Sequence, residues 1–149
     1  MITVEEFWKD YLVQSEDQGT ELQISMFGDE SSCDELVGLI ASGKKTAGSS
    51  LLKDYLSCDE QPPEIGRISL VVDSKGQPVC IIEITDVIQY AFKDVTQAVA
   101  MAEGEGDLSV EYWKKVHADF FNESKEALAI DSLDEEIIVT EFFKVIYSH

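Results

Sequence analysis

Adjacent lysines at positions 44 and 45 stand between Gly43 and a run of small hydroxyl residues, in the stretch IASGKKTAGSS at 40–50. Such a cluster collects cations at one place, with Ser49 and Ser50 beside them as hydroxyl donors, acceptors or nucleophiles. Arg67 is the single arginine. Its planar fork suits bidentate contact with phosphate or carboxylate. Trp113 and His117 are four residues apart, so on a helix they share a face from which the indole can stack on a base while the imidazole contacts it. The acidic loop EGEGD at 103–107 superficially resembles a divalent-cation site but lacks EF-hand ligand spacing, and neither a metal nor another cofactor is expected. A triad drawn from Ser49 or Ser50, His117 and an acid has no G-x-S-x-G turn behind it.

The charge balance restricts what those residues can meet. Eleven Lys and Arg face 30 Asp and Glu, a formal net charge of −19, so long-range attraction to a phosphate backbone is opposed and DNA is not expected as a partner. A nucleotide or short RNA would have to be held in a local basic pocket. With 149 residues, 44% hydrophobic and 28% charged, the chain has the length and composition of one globular domain. No stretch approaches the roughly 20 apolar residues that cross a bilayer, and MITVEEFWKDYL carries acids where a signal peptide carries lysines. A soluble, cytoplasmic protein is the expectation. Cys33, Cys58 and Cys80 have neither CxxC nor CxxH spacing and read as free thiols.

Elements must then position the reactive side chains. Thr3 and Glu6 form a capping-box pattern ahead of Val4, Phe7, Trp8, Tyr11 and Leu12, which predicts a helix over 4–14. Polar residues 15–20 interrupt it, and Leu22, Ile24 and Met26 alternate as in an extended segment. Ser32 caps a second helix that Gly43 ends, bringing the lysines to its C-terminus, where the helix dipole alone would favour them by about 0.3–1 kcal/mol. Residues 46–50 read as a strand and 51–66, with Pro62-Pro63, as a surface loop. The β-branched runs 67–72 and 79–88, joined by DSKGQP, read as a hairpin. Residues 95–102 and 109–121 read as helices, the second with Val110, Trp113, Val116, Phe120 and Phe121 on its apolar face and His117 at the surface or capping. A final strand over 137–147 completes an α+β chain with a small sheet or barrel.

Two places resemble a known family, the ASCH domain, whose fold is a small antiparallel β-barrel similar to the PUA RNA-binding domain. GKKT at 43–46 resembles its G-x-K-x-x-[T/E] signature, mapped onto Gly43, Lys45 and position 48. Residues 82–121, IEITDVIQYAFKDVTQAVAMAEGEGDLSVEYWKKVHADFF, resemble its strand, its D-V-T…A-x-x-E-G segment and its W…H…F-F helix, and EFFKVI follows. The resemblance implies a PUA-like antiparallel β-barrel with flanking helices, a single ASCH-type domain over 1–149 with an N-terminal helical extension.

For function the resemblance implies a pocket beside the barrel for a nucleobase, nucleoside or short RNA, and in some members ribonuclease activity or amide hydrolysis on N4-acylated cytidine. In those amidohydrolases a lysine, a threonine and a glutamate are catalytic. By motif matching they fall on Lys45, Gly48 and Glu103. Gly48 has no hydroxyl, so Ser50, about 6.6 Å further along the same strand face, becomes the substitute nucleophile. Lys44, Ser49 and Arg67 are the expected substrate-binding residues. Lys44 beside Lys45 would favour a basic, uncharged amine, whereas Glu103 would oppose it. Alternative expectations are a non-catalytic RNA-binding adaptor in translation or transcription and a protein-interaction module that uses its acidic surface.

Overall fold

A computed structural model describes residues 1–15 and 20–149. Among the described residues, five helices, one 3-10 turn and five strands follow the order α1 Val4–Gln14, β1 Ile24–Ser25, α2 Cys33–Ala41, β2 Ala47–Leu51, α3 Leu52–Ser57, β3 Ile68–Val72, β4 Pro78–Ala91, the turn Phe92–Asp94, α4 Gln97–Glu103, α5 Val110–Asn122 and β5 Ile137–Ser148. The capping box at α1 forms, with the Thr3 hydroxyl accepting from the Glu6 N–H and the Glu6 carboxylate accepting from the Thr3 N–H. Residues 16–19, in the expected polar interruption, lie outside the described residues. Within the expected 51–66 loop the chain makes the short helix α3 before Pro62. Thr96 caps α4 by accepting from the Val99 N–H, so the helix expected from 95 begins two residues later.

The strands assemble in the order β1-β3-β4-β5-β2, with β1 parallel to β3 and the other pairs antiparallel. The period-2 alternation of strand side chains assigns each residue of the hairpin to one face. Leu70, Val72 and Ile81 join Phe7, Trp8 and Tyr11 of α1 in one buried cluster. Val71, Cys80 and Ile82 join Val37 and Ile40 of α2 in another. Helices therefore cover both faces, which is why this hairpin reads as continuous apolar runs. A third cluster unites Val99 and Ala100 of α4, Trp113 and Phe121 of α5, and Leu51 and Ile138 of the strands. Cys33 and Cys80 are buried free thiols and Cys58 is an exposed one.

The expected closed barrel does not form. The sheet is open, because β1 is two residues long and pairs only with β3, whereas β2 pairs with β5 at the opposite edge. Register shifts between Ile81 and Ile82 and between Ile84 and Asp86 interrupt the β4–β5 ladder. Such bulges increase twist and curl a sheet. The two edges approach without a ladder: a Cβ placed on Gly48 of β2 would lie 3.4 Å from the Phe27 ring, just after β1. Between them runs a cleft lined from both edges.

Candidate functional site

Gly43 adopts φ +81°, and the N–H groups of both Lys44 and Lys45 donate to the Leu39 carbonyl, which turns the chain out of α2 and into β2. Past this turn the two lysines diverge. Lys44 is exposed, while Lys45 is only 3% exposed. From the other direction, α4 ends at Gly104 in the left-handed conformation, φ +72°. A Cβ there would lie 2.2 Å from the Lys44 carbonyl oxygen, so a glycine is what lets this helix end rest directly on the lysine backbone. The Thr46 N–H donates to the Ala102 carbonyl at 2.6 Å and fastens the same junction.

The close approach seats Glu103, 2% exposed, against Lys45. Lys45 Nζ donates to Glu103 Oε1 at 2.6 Å, to the Glu103 carbonyl at 3.3 Å and to Glu105 Oε2 at 3.2 Å. The ammonium thus has an acceptor for each of its three hydrogens. Glu103 Oε2 accepts from Trp113 Nε1 at 2.9 Å and faces His117 Nε2 at 3.1 Å. Trp113 and His117 stack with centroids 4.1 Å apart and planes 16° from parallel. His117 Nδ1 lies 2.9 Å from the Trp113 carbonyl oxygen, so both ring nitrogens face acceptors, and the ring donates to both only as the imidazolium. Burial pushes the Glu103 carboxyl up, but the hydrogen bond from His117 and the charges of Lys45 and His117 outweigh it and hold the group at about 2.

The sequence reading of His117 as a surface or capping residue is corrected here. It is buried on the inner face of α5 because its ring has both a stacking partner and a carboxylate, whereas Phe120, expected in the apolar stripe, is 47% exposed. Glu103, Glu105 and His117 each offer a ligand atom within 4.8 Å of the others, a set able to hold a cation. Lys45 already occupies the space between the two carboxylates. A divalent ion would have to displace it.

Two connected chambers lie over this group. The inner one, ≈ 160 Å³, has Lys45, Glu103, Glu105 and His117 on its walls together with Ser49, Phe27 and Phe120. An apolar cavity of about 150 Å³ accepts a benzene ring, so one flat six-membered ring fits this space. The outer one, ≈ 410 Å³, shares Phe27, Gly28, Gly48, Ser49 and Phe120 and adds Ser50, Tyr55, Arg67 and Glu141. Ser50 therefore lies in the outer chamber and is absent from the inner lining; Ser49 reaches both. The Ser49 hydroxyl is 2.7 Å from the Thr140 hydroxyl, which is 2.6 Å from Tyr90 OH. Lys44 lines neither chamber, and exposed Arg67 only the outer one. Sequence reasoning passed over Glu141, Tyr90 and Thr140, whose long-range pairings left no local pattern to find.

A family model described as ASCH domain matches residues 23–147. The chain is similar to the crystal structure of an ASCH domain from Lactobacillus crispatus JV V101, with 32% identity, a TM-score of 0.88, and coverage of 96% of this chain and 93% of that one. It is similar to a protein from Enterococcus faecalis V583, with 32% identity, a TM-score of 0.87, and coverage of 96% and 87%. An ASCH protein from Zymomonas mobilis, at 10% identity and a TM-score of 0.51 over 85% and 70% of the two chains, shares the fold. No curated protein matches the chain.

Removing one partner of a buried ionic group is expected to cost about 3–5 kcal/mol, so Glu103→Gln should lower stability by that amount at pH 7, measured by urea unfolding. Because the folded carboxyl sits at about 2 against an ordinary 4.5, its contribution is complete above pH 4.5 and is lost as pH falls toward 2. The gap between wild type and variant should narrow across that window; a constant gap refutes the assignment. Gly104→Ala should cost at least about 2 kcal/mol from its left-handed backbone alone, with further loss from the contact against Lys44, read as a lowered melting temperature.

Proposed function

Since this chain belongs to the ASCH domain family, we propose that its inner chamber holds the base of a nucleoside or of a single unpaired RNA nucleotide, recognised by pocket contacts rather than by the field of the whole molecule. The observation that carries this reading is the composition of one ring-sized cavity: the Lys45 charge, the Glu105 carboxylate and the His117 ring below, and aromatic faces from Phe27 and Phe120 beside it. A flat heteroaromatic ring has both a polar edge and a π-face, and such a site answers each of them. The charge balance points the same way. Lys45 is neutralised by two carboxylates and Arg67 is the one other lysine or arginine that lines either chamber, too few for a phosphate-tracking groove on a molecule of net charge −19. We read residues 1–149 as one ASCH-type domain in which α1, ahead of the matched residues, is an N-terminal extension. Among the described residues, no helix is long and apolar enough to cross a membrane.

Amide hydrolysis on a modified cytidine is a second reading, favoured by one observation: a hydroxyl, that of Ser49, lines the chamber that contains Lys45 and Glu103. With Gly48 at the signature's threonine position, Ser49 is better situated than Ser50 to face a carbonyl bound there. In this reading Lys45, held as a triply bonded ammonium, polarises the carbonyl oxygen and is not the base.

N4-Acetylcytidine added to the purified chain tests both. Binding is expected by calorimetry, with Lys45→Met weakening it at least about tenfold. Absence of binding to this nucleoside, to cytidine and to a short unstructured RNA removes the pocket reading. Release of acetate, followed by NMR, should fall at least about a hundredfold in Ser49→Ala and persist in Ser50→Ala if the hydrolytic reading holds. No release by wild type leaves binding alone.

A further inference from the structure

Glu141 is the one carboxylate in the outer chamber, and no group in the described residues donates a hydrogen bond to it. It stands on β5 opposite Gly48, and the missing side chain at that position leaves its carboxylate open: a Cβ on Gly48 would be 4.0 Å from Glu141 Oε1. Burial pushes the Glu141 carboxyl up, with the Arg67 charge only partly opposing and no ion-pair contact between the two. The neighbouring Tyr55 phenol is itself pushed up by burial and carries no hydrogen bond to this carboxylate. A half-buried carboxylate without protein donors must draw on solvent in the chamber, and a ligand that brings hydroxyl donors takes the place of that solvent.

The order of the two chambers says which part of a ligand arrives there. Both share the collar of Phe27, Gly28, Gly48, Ser49 and Phe120, so a substituent directed past Gly48 from a ring in the inner chamber enters the outer one. For a nucleoside that part is the sugar. A phosphate has only acceptors to offer a carboxylate, and a cationic ligand would meet Arg67 in the same space. Adjacent neutral hydroxyls satisfy Glu141 without either conflict. Resting on the pocket reading above, we propose that Glu141 accepts hydrogen bonds from the ribose hydroxyls of the bound nucleoside, so that the site selects ribonucleosides over 2′-deoxyribonucleosides.

Calorimetric titration of the full chain with cytidine, 2′-deoxycytidine and cytosine tests this inference. Cytidine should bind at least about tenfold more tightly than 2′-deoxycytidine, the loss expected for one hydrogen bond to a charged acceptor. Glu141→Ala and Glu141→Gln should each reduce that ratio to threefold or less while cytosine binds as in wild type. Both variants should be at least as stable as wild type at pH 7, because a raised carboxyl stabilises the fold below its ordinary pKa of 4.5 and loses that contribution as pH rises through the folded value. Equal affinity for the two nucleosides in wild type overturns the sugar assignment and leaves the base pocket standing, as does a ratio that survives both substitutions. If none of the three compounds binds, the pocket reading and this inference fall together.

Discussion

A carboxylate withdrawn from water is stable only when its lone pairs are matched by donors, and the organisation of this site follows from that requirement at Glu103. Lys45, Trp113 and His117 supply the donors from two separate elements: the turn after α2 and two positions on α5. Each of the three turns its polar atom to this carboxylate and away from solvent. The arrangement also fixes the electrical character of the cavity floor. An ammonium with all three hydrogens engaged lies against a carboxyl held at about 2, an ion pair of fixed geometry. Recognition by fixed dipoles and charges is what such a floor does best.

The geometry that permits this pairing is a matter of missing atoms at two glycines. At Gly104 the absent Cβ lets the end of α4 touch the Lys44 carbonyl, which brings Glu103 within reach of an amine 58 residues away in sequence. At Gly48 the absence has a different use, because a Cβ would fit there in ordinary contact. Gly48 lines both chambers, together with the Phe27 and Phe120 rings. The open sheet belongs to the same logic: the gap between β1 and β2, which a closed barrel would fill with a hydrogen-bonded ladder, is the outer chamber.

How much of this was legible depended on the range of each interaction. The capping box at Thr3, the Thr96 and Ser109 caps and the hairpin turn at Gly76 rest on contacts within a few residues, and their signals stand in the sequence as plain motifs. The Lys45 and Glu103 pairing was an expectation drawn from family resemblance, not from spacing, because nothing in either segment refers to the other. His117 was misread for a related reason. A histidine on a mostly apolar helix face has no local mark that tells a buried partner from solvent, and its partner comes from α4. Of the extended segment read at 22–26 only Ile24 and Ser25 pair with β3, too few to carry a ladder across to β2.

Taken by itself, the sequence determined the start of α1, which strands form a hairpin, the mixed α+β class, the acidity that sets the molecule against phosphate-rich surfaces, and the kinship with ASCH domains. All but the kinship depend on backbone capping, on periodicity and on summed charge, which are additive along the chain; the kinship rests on resemblance to a family's motifs. Only the tertiary structure decided that Lys45 turns inward while Lys44 faces water, that Ser49 rather than Ser50 lines the chamber of the buried charges, and that Glu141 shares the outer chamber with Arg67 with no donor to it among the described residues. Those outcomes depend on desolvation and on hydrogen-bond partners from distant segments, quantities that do not exist until the chain has closed around them.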